Sequence, residues 1–270
     1  MLYQTLSDLV NSELSYFQKP HPLNIGVKYL DGYSFLTVFI LYLAFCVYGK
    51  FRISLFSYQL KLILRIYNVL QVIINVVLFA LLSFSISTRL AHQSITCFSV
   101  KVNGFLFPDE LEATTTYLFY FSRIFDLLDT VFIVVRGKTK QLSFLHVYHH
   151  AWVLFVFWKG ARYFPGAQGM WIMLFNAFVH SVMYIYYFLA TFESLAGYLW
   201  WKRYITQVQI LQLFGMLIVG VTPMPYIFQG KCHYPLVCCI EGAFFASLLI
   251  SSFVRFHIRS YGKQNKTKQE

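Results

Sequence analysis

The chain has 270 residues, of which 58% are hydrophobic, 20% aromatic and only 12% charged, and its net charge is +11. Soluble domains carry about 25% charged residues, so this composition cannot coat a water-facing surface, and 29 Phe with 20 Tyr exclude a disordered chain. The class is an all-α integral membrane protein, with length for one membrane domain and no soluble basic face for a nucleic acid.

Residues 1–31 mix polar and apolar side chains, interrupted by Lys19, Pro20, His21 and Pro22, and lack the apolar run of a signal peptide. They read as a lumenal N-terminal segment. Seven helical spans follow at about 20 residues each: 32–48, 62–87, 114–135, 144–160, 169–190, 204–228 and 234–255. Residues 32–258 form the membrane domain and 259–270 a basic tail. With the first, third and fifth loops and the tail on one side, that side holds thirteen of the 22 Lys and Arg residues. The opposite side holds seven, and Arg65 and Arg123 lie within spans. The bias places the tail in the cytosol and the N-terminus in the lumen. The same excess also suits attraction of an anionic cytosolic substrate.

The tail ends Lys266-Thr-Lys268-Gln-Glu270, a spacing similar to a dilysine retrieval signal for the endoplasmic reticulum; a frayed basic end is the plainer reading. Of five cysteines, Cys97 and Cys232 fall in the two largest lumenal loops. They read as a disulfide, which that compartment permits, or as two free thiols. Cys46, Cys238 and Cys239 lie in apolar sequence as small buried hydrophobes.

Chemistry concentrates in four segments. In Phe144-Leu-His146-Val-Tyr148-His149-His150, a helix advancing about 100° per residue puts all three imidazoles on one face. That face lies at the cytosolic membrane edge, where each ring needs a polar partner. Arg123-Ile-Phe-Asp126-Leu-Leu-Asp129-Thr130 places two carboxylates and a guanidinium near the same edge. They stand either to orient the imidazoles or as a structural ion pair. Asn176, His180, Tyr184 and Tyr187 share one face of the fifth span as a pocket wall, while Tyr186 reads as packing. Thr206, Gln209 and Gln212 make a polar ridge on the sixth, serving a cavity or holding helices together. Polar groups at one membrane edge above long apolar helices describe a site for an anionic head with an acyl tail. Imidazole can carry an acyl group itself.

HVYHH at 146–150, HSVMYIYY at 180–187, TQVQILQ at 206–212 and RIFDLLDT at 123–130 resemble, in order and spacing, the signatures of the ELO family. These are the condensing enzymes of very-long-chain fatty acid elongation, 3-oxoacyl-CoA synthases. The family's third-span pattern reads Lys-x-x-Glu-x-x-Asp-Thr; here Arg123 and Asp126 keep both charge signs with different side-chain lengths.

The resemblance implies seven spans, six forming an inverted barrel around a closed acyl tunnel. It implies acyl-CoA and malonyl-CoA as substrates, membrane lipid as surroundings and no resident cofactor or metal. Association with the other enzymes of the elongation cycle follows from it, and homo-oligomers are compatible with it. In roles, His149 takes the acyl group, while His146, His150 and His180 move protons or stabilise enolate charge. Asp126 and Asp129 orient rings, Arg123, Tyr184, Tyr187, Thr206 and Gln212 line the substrate site, and Asn176 and Gln209 bond the thioester region. Two other classes stay open. A di-iron desaturase would need more than the four histidines this side offers, and a seven-span receptor would open its pocket away from the cytosol.

Overall fold

The computed structural model describes residues 11, 13–21, 30–49, 58–99, 101–102, 105–106 and 110–261. The two lysines of the retrieval-type tail lie outside them.

Among these residues the chain is helical, with one two-residue hairpin, β1 (Lys101–Val102) paired antiparallel to β2 (Phe105–Leu106). The helices are α1 (Gly32–Gly49), α2 (Tyr58–Leu90), α3 (Glu110–Phe125), α4 (Leu128–Val135), α5 (Phe144–Tyr163), α6 (Gly169–Leu189), α7 (Lys202–Val221), α8 (Met224–Phe228) and α9 (Leu236–Tyr261). Among the described residues, five stretches are long and apolar enough to cross a membrane: 32–49, 60–90, 169–189, 202–228 and 236–261. The other two expected spans are also helical, but they carry the polar chemistry. Residues 144–163 include three histidines, Lys159 and Arg162, and the 114–135 segment is broken into α3 and α4.

That break has no Pro or Gly behind it. At the joint the backbone switches to i→i−3 bonds: Leu127 N–H to Ile124 O at 3.1 Å, Asp129 to Asp126 at 3.0 Å and Thr130 to Leu127 at 3.1 Å. This tight winding brings side chains three apart into register, so Asp126 and Asp129 project together. The joint between α7 and α8 has the usual cause, since Pro223 and Pro225 cannot donate into a helix ladder.

Helix ends show their sequence reasons. Asp31 caps α1, its carboxylate accepting from the Ser34 N–H at 2.8 Å and the Ser34 hydroxyl at 2.6 Å. Ser143 caps α5 by accepting from the His146 N–H at 3.2 Å. Glu13 reaches the start of α9, its two oxygens accepting from the Leu236 and Val237 N–H groups at 3.0 Å each, as a carboxylate at a helix N-terminus should.

The helix pairings run in a cycle. α2 packs on α3 and α6, α3 on α5, α5 on α9, α9 on α7 and α7 on α6, with α1 outside the cycle on α5. The packed core lies among α2, α3, α5 and α6, around Leu78, Leu82, Phe119, Leu154, Met170, Met173 and Ala177. Large apolar side chains such as Ile40, Leu41, Leu211 and Phe244 face outward and are exposed, which water disfavours and lipid does not. The α5–α9 seam is closed by Phe245 against Tyr148 and Trp152 at 5.8 and 5.6 Å between ring centroids, and by the Lys159–Glu241 ion pair.

At the end of the bundle away from His146, Cys97 and Cys232 are joined by a disulfide with Cα atoms 6.0 Å apart. Beside it Arg89 and Glu112 are both buried. The guanidinium donates to the carboxylate through Nε at 2.8 Å and Nη2 at 2.7 Å, and through Nη1 to the Ser99 carbonyl at 2.8 Å. Cys46 and Cys239 are buried and Cys238 is partly so.

Gly49 marks the tightest helix approach. A Cβ there would stand 2.6 Å from Val134 Cγ2. Gly49→Ala is expected to push α1 off α4 and cost about 1–3 kcal/mol, as overpacking does. The loss would be read as a lower thermal midpoint in detergent.

Candidate functional site

The tight joint at 126–129 organises the site. Asp126 and Asp129, brought together by the winding, both face the Tyr184 hydroxyl of α6. It lies 2.7 Å from Asp129 Oδ2 and 3.4 Å from Asp126 Oδ1. The Tyr67 hydroxyl of α2 donates to Asp129 Oδ1 at 3.0 Å, and the Gln71 amide donates to both Tyr67 Oη and Asp126 Oδ1 at 2.8 Å. A buried carboxylate requires such donors, because an unpartnered charge in an apolar interior costs several kcal/mol.

Arg123 is 2% exposed and fully occupied by protein acceptors. Nη1 donates to Asn176 Oδ1 at 2.8 Å and faces His180 Nδ1 at 3.1 Å. Nη2 donates to Asn75 Oδ1 at 3.0 Å, and Nε and Nη2 both reach Ser122 Oγ. Asp126 Oδ2 lies 2.9 Å from Nη1. The guanidinium also lies over the Phe119 ring, 4.5 Å from its centroid.

The imidazoles of α5 form one group, with ring centroids 4.4 Å apart for His146 and His150 and 5.4 Å for His149 and His150. His149 stacks on Phe245 of α9 at 6.3 Å. His146 Nε2 meets Thr130 Oγ1 at 2.9 Å, and that hydroxyl lies 3.4 Å from Tyr42 Oη of α1. All three rings are half-buried, whereas His180 and Thr130 are buried. Both networks leave the same joint, one reaching α6 through Arg123 and the other α5 through Thr130. Among the described residues, no three His, Cys, Asp or Glu side chains stand together as a metal ligand set.

The structure refines four sequence expectations. The carboxylates do not hold the α5 imidazoles. Thr130 contacts His146, and only Asp126 approaches a ring, 3.7 Å from His180 Nδ1. Arg123 faces Ser122, Asn75, Asn176, His180 and Asp126, and its pairing with Asp126 is the structural ion pair that the sequence also allowed. Tyr187 sits at the outer edge of that face: it is 42% exposed and meets Tyr184 edge-on at 5.9 Å. Among the described residues the ridge on α7 makes no bond to the histidines, and Gln209 reaches across to α6, in line with the reading that the ridge holds helices together. Gln209 donates to Met183 Sδ at 3.7 Å and Gln212 to Met216 Sδ at 3.6 Å, while Thr206 is simply buried.

Sequence reasoning missed Tyr67, Gln71 and Asn75. Their spacing of four residues within an otherwise apolar span was the available signal, since it aligns them on one helix face.

Thr130→Val keeps the volume and removes the hydroxyl. It is expected to lower kcat about 10-fold, the worth of one hydrogen bond of about 1.4 kcal/mol. Thr130→Ser should keep the wild-type rate.

The model of the ELO: GNS1/SUR4 family matches residues 30–269 of this chain. Very long chain fatty acid elongase 2 of Mus musculus is 30% identical over 242 residues, covering 89% of this chain and 80% of that protein. Very long chain fatty acid elongase 4 of Homo sapiens is 32% identical over 239 residues, covering 86% and 73%.

Proposed function

The chain belongs to the ELO (GNS1/SUR4) family, a multi-pass membrane protein of very-long-chain fatty acid elongation, and we propose on that premise that it performs the condensing step. Malonyl-CoA and a long-chain acyl-CoA would give 3-oxoacyl-CoA, CO2 and CoA, as in a very-long-chain 3-oxoacyl-CoA synthase. The observation that carries this reading is the cluster of three imidazoles on α5, tied through Thr130 to the acidic joint of α3 and α4.

In the proposed chemistry a neutral imidazole nitrogen of His149 attacks the acyl thioester carbonyl. The tetrahedral intermediate expels CoA thiolate, the ring N–H proton passes to a neighbouring base, and an acyl-imidazole remains. Malonyl-CoA then loses CO2, and the electron pair of the breaking C–C bond forms an enolate that attacks the acyl carbon. His149 departs as the leaving group and regains its proton. His150, in ring contact with both His149 and His146, would take up the proton, with His146 next in line. No step needs a resident metal or cofactor.

The cycle of six helices supports a six-span barrel enclosing the acyl tail, with the broken α3–α4 segment and α5 as its second and third walls and α1 as a seventh, outer span. The orientation proposed from the basic residues puts the imidazole end on the cytosolic side and the disulfide on the lumenal side of the endoplasmic reticulum. Partners proposed for the chain are the other enzymes of the elongation cycle.

At the imidazole end, Lys138 sits close enough to Arg136 and Lys202 to feel both. Partial burial and then those two cations push its ammonium below the usual lysine value. Such a cluster suits the phosphates of CoA. A lowered lysine loses its charge earlier as pH rises. The KM for acyl-CoA is therefore expected to rise with pH below the ordinary lysine range, and Lys138→Met should be weak and flat across that range.

The direct test is turnover of purified protein with malonyl-CoA and a panel of acyl-CoA lengths. Products two carbons longer, released with CO2, are expected. Acyl-CoA desaturation or hydroxylation, or no product with any chain, would contradict the reading.

A further inference from the structure

Arg123 has five N–H donors and no acceptor, and it cannot be deprotonated in a protein. Nη1 faces Asn176 Oδ1, Asp126 Oδ2 and His180 Nδ1 at 2.8, 2.9 and 3.1 Å, while Nε and Nη2 face Ser122 Oγ and Nη2 also Asn75 Oδ1. Because the guanidinium accepts nothing, a proton on His180 Nδ1 would set donor against donor at 3.1 Å, so Nδ1 is the bare nitrogen. Asp126 Oδ2 could bind an Nδ1 proton, but it lies 3.7 Å away, beyond hydrogen-bond reach. A ring nitrogen that accepts carries no proton, so a neutral imidazole keeps its proton on Nε2. His180 Nε2 has no hydrogen-bond partner among the described residues.

We propose that Arg123 is a positioning residue that locks His180 as the Nε2–H tautomer, and that His180 acts as a fixed hydrogen-bond donor rather than a base. The donor is aimed at the thioester carbonyl oxygen on which negative charge collects during reaction. The identity of that oxygen rests on the condensing reading above; the tautomer does not.

The geometry requires the guanidinium. A Lys at 123 has three donors and would leave two of the five acceptors empty. It also lacks the planar fork that spans α2 and α6 at once. The short carboxylate of Asp126 meets the longer base within one helical turn, so the pair is matched in length.

Two measurements test the proposal on the full-length protein in detergent. The first is a nitrogen spectrum of protein carrying 15N-labelled histidine, with the His180 signals identified as those lost in His180→Gln. A neutral ring with Nδ1 bare and Nε2 protonated is expected. A ring protonated at Nδ1, or at both nitrogens, overturns the proposal without any appeal to activity. The second compares substitutions by turnover. Glutamine places an amide N–H where Nε2–H was, so His180→Gln should retain at least about 10-fold more kcat than His180→Ala, within the range of a single preorganised donor. Equal loss in both overturns the donor role. Arg123→Lys should lower kcat by about 100-fold with KM within about 3-fold, and its spectrum should show a mixture of tautomers; an unchanged His180 signal in that variant overturns the positioning role. Wild-type protein that makes no 3-oxoacyl-CoA defeats the assignment of the oxygen, while the spectrum still decides the tautomer.

Discussion

His149→Ala is expected to abolish elongation, by about 10³-fold or more, while leaving the protein folded. The size follows from the role. If His149 carries the acyl group, removing it deletes the covalent route rather than one of its supports, and losses of that order attend nucleophile removal. The fold should tolerate the change, because the ring is half-buried against Phe245, and no hydrogen bond to it is found among the described residues. Retained turnover within 10-fold would move the acyl group to another residue. His146→Ala should be less severe, because His146 is held by Thr130 and is assigned proton transfer.

The second large effect is on stability. Glu112→Ala removes the carboxylate to which Arg89, 2% exposed, donates twice. Breaking a buried ion pair from one side costs about 3–5 kcal/mol. The thermal midpoint in detergent should fall sharply, and expression with it. The paired replacement Arg89→Met with Glu112→Leu should recover most of the loss, since it removes both charges and keeps apolar volume. A single variant as stable as wild type would show that water or lipid headgroups reach Arg89.

Much of this arrangement was legible in the residues. Five of the seven expected spans coincide with helices long and apolar enough to cross a membrane, because an apolar run of that length has one stable use. The grouping of His146, His149 and His150 followed from helical spacing. The break at Asp126–Leu127 was not legible, since no Pro or Gly announces it; the segment tightens where Asp126 and Asp129 meet donors on α2 and α6, which local sequence does not contain. Arg123 read as a substrate contact or as half of an ion pair; it pairs with Asp126, and its contacts on α2 and α6 come only with the fold. Its partners stand at five positions, three of them on two other helices. Arg89 and Glu112 are 23 residues apart in the chain, and only the fold brings them together. The role of Thr130 was hidden too, because a hydroxyl in a motif does not say which imidazole it will meet.

The central claim is that the imidazole cluster of α5 carries an acyl group. Purified protein given a long-chain acyl-CoA without malonyl-CoA should gain the mass of one acyl chain. Peptide mapping should place it on His149, and added malonyl-CoA should discharge it as 3-oxoacyl-CoA. Protein that turns over both substrates yet gains no mass from acyl-CoA alone would contradict the account.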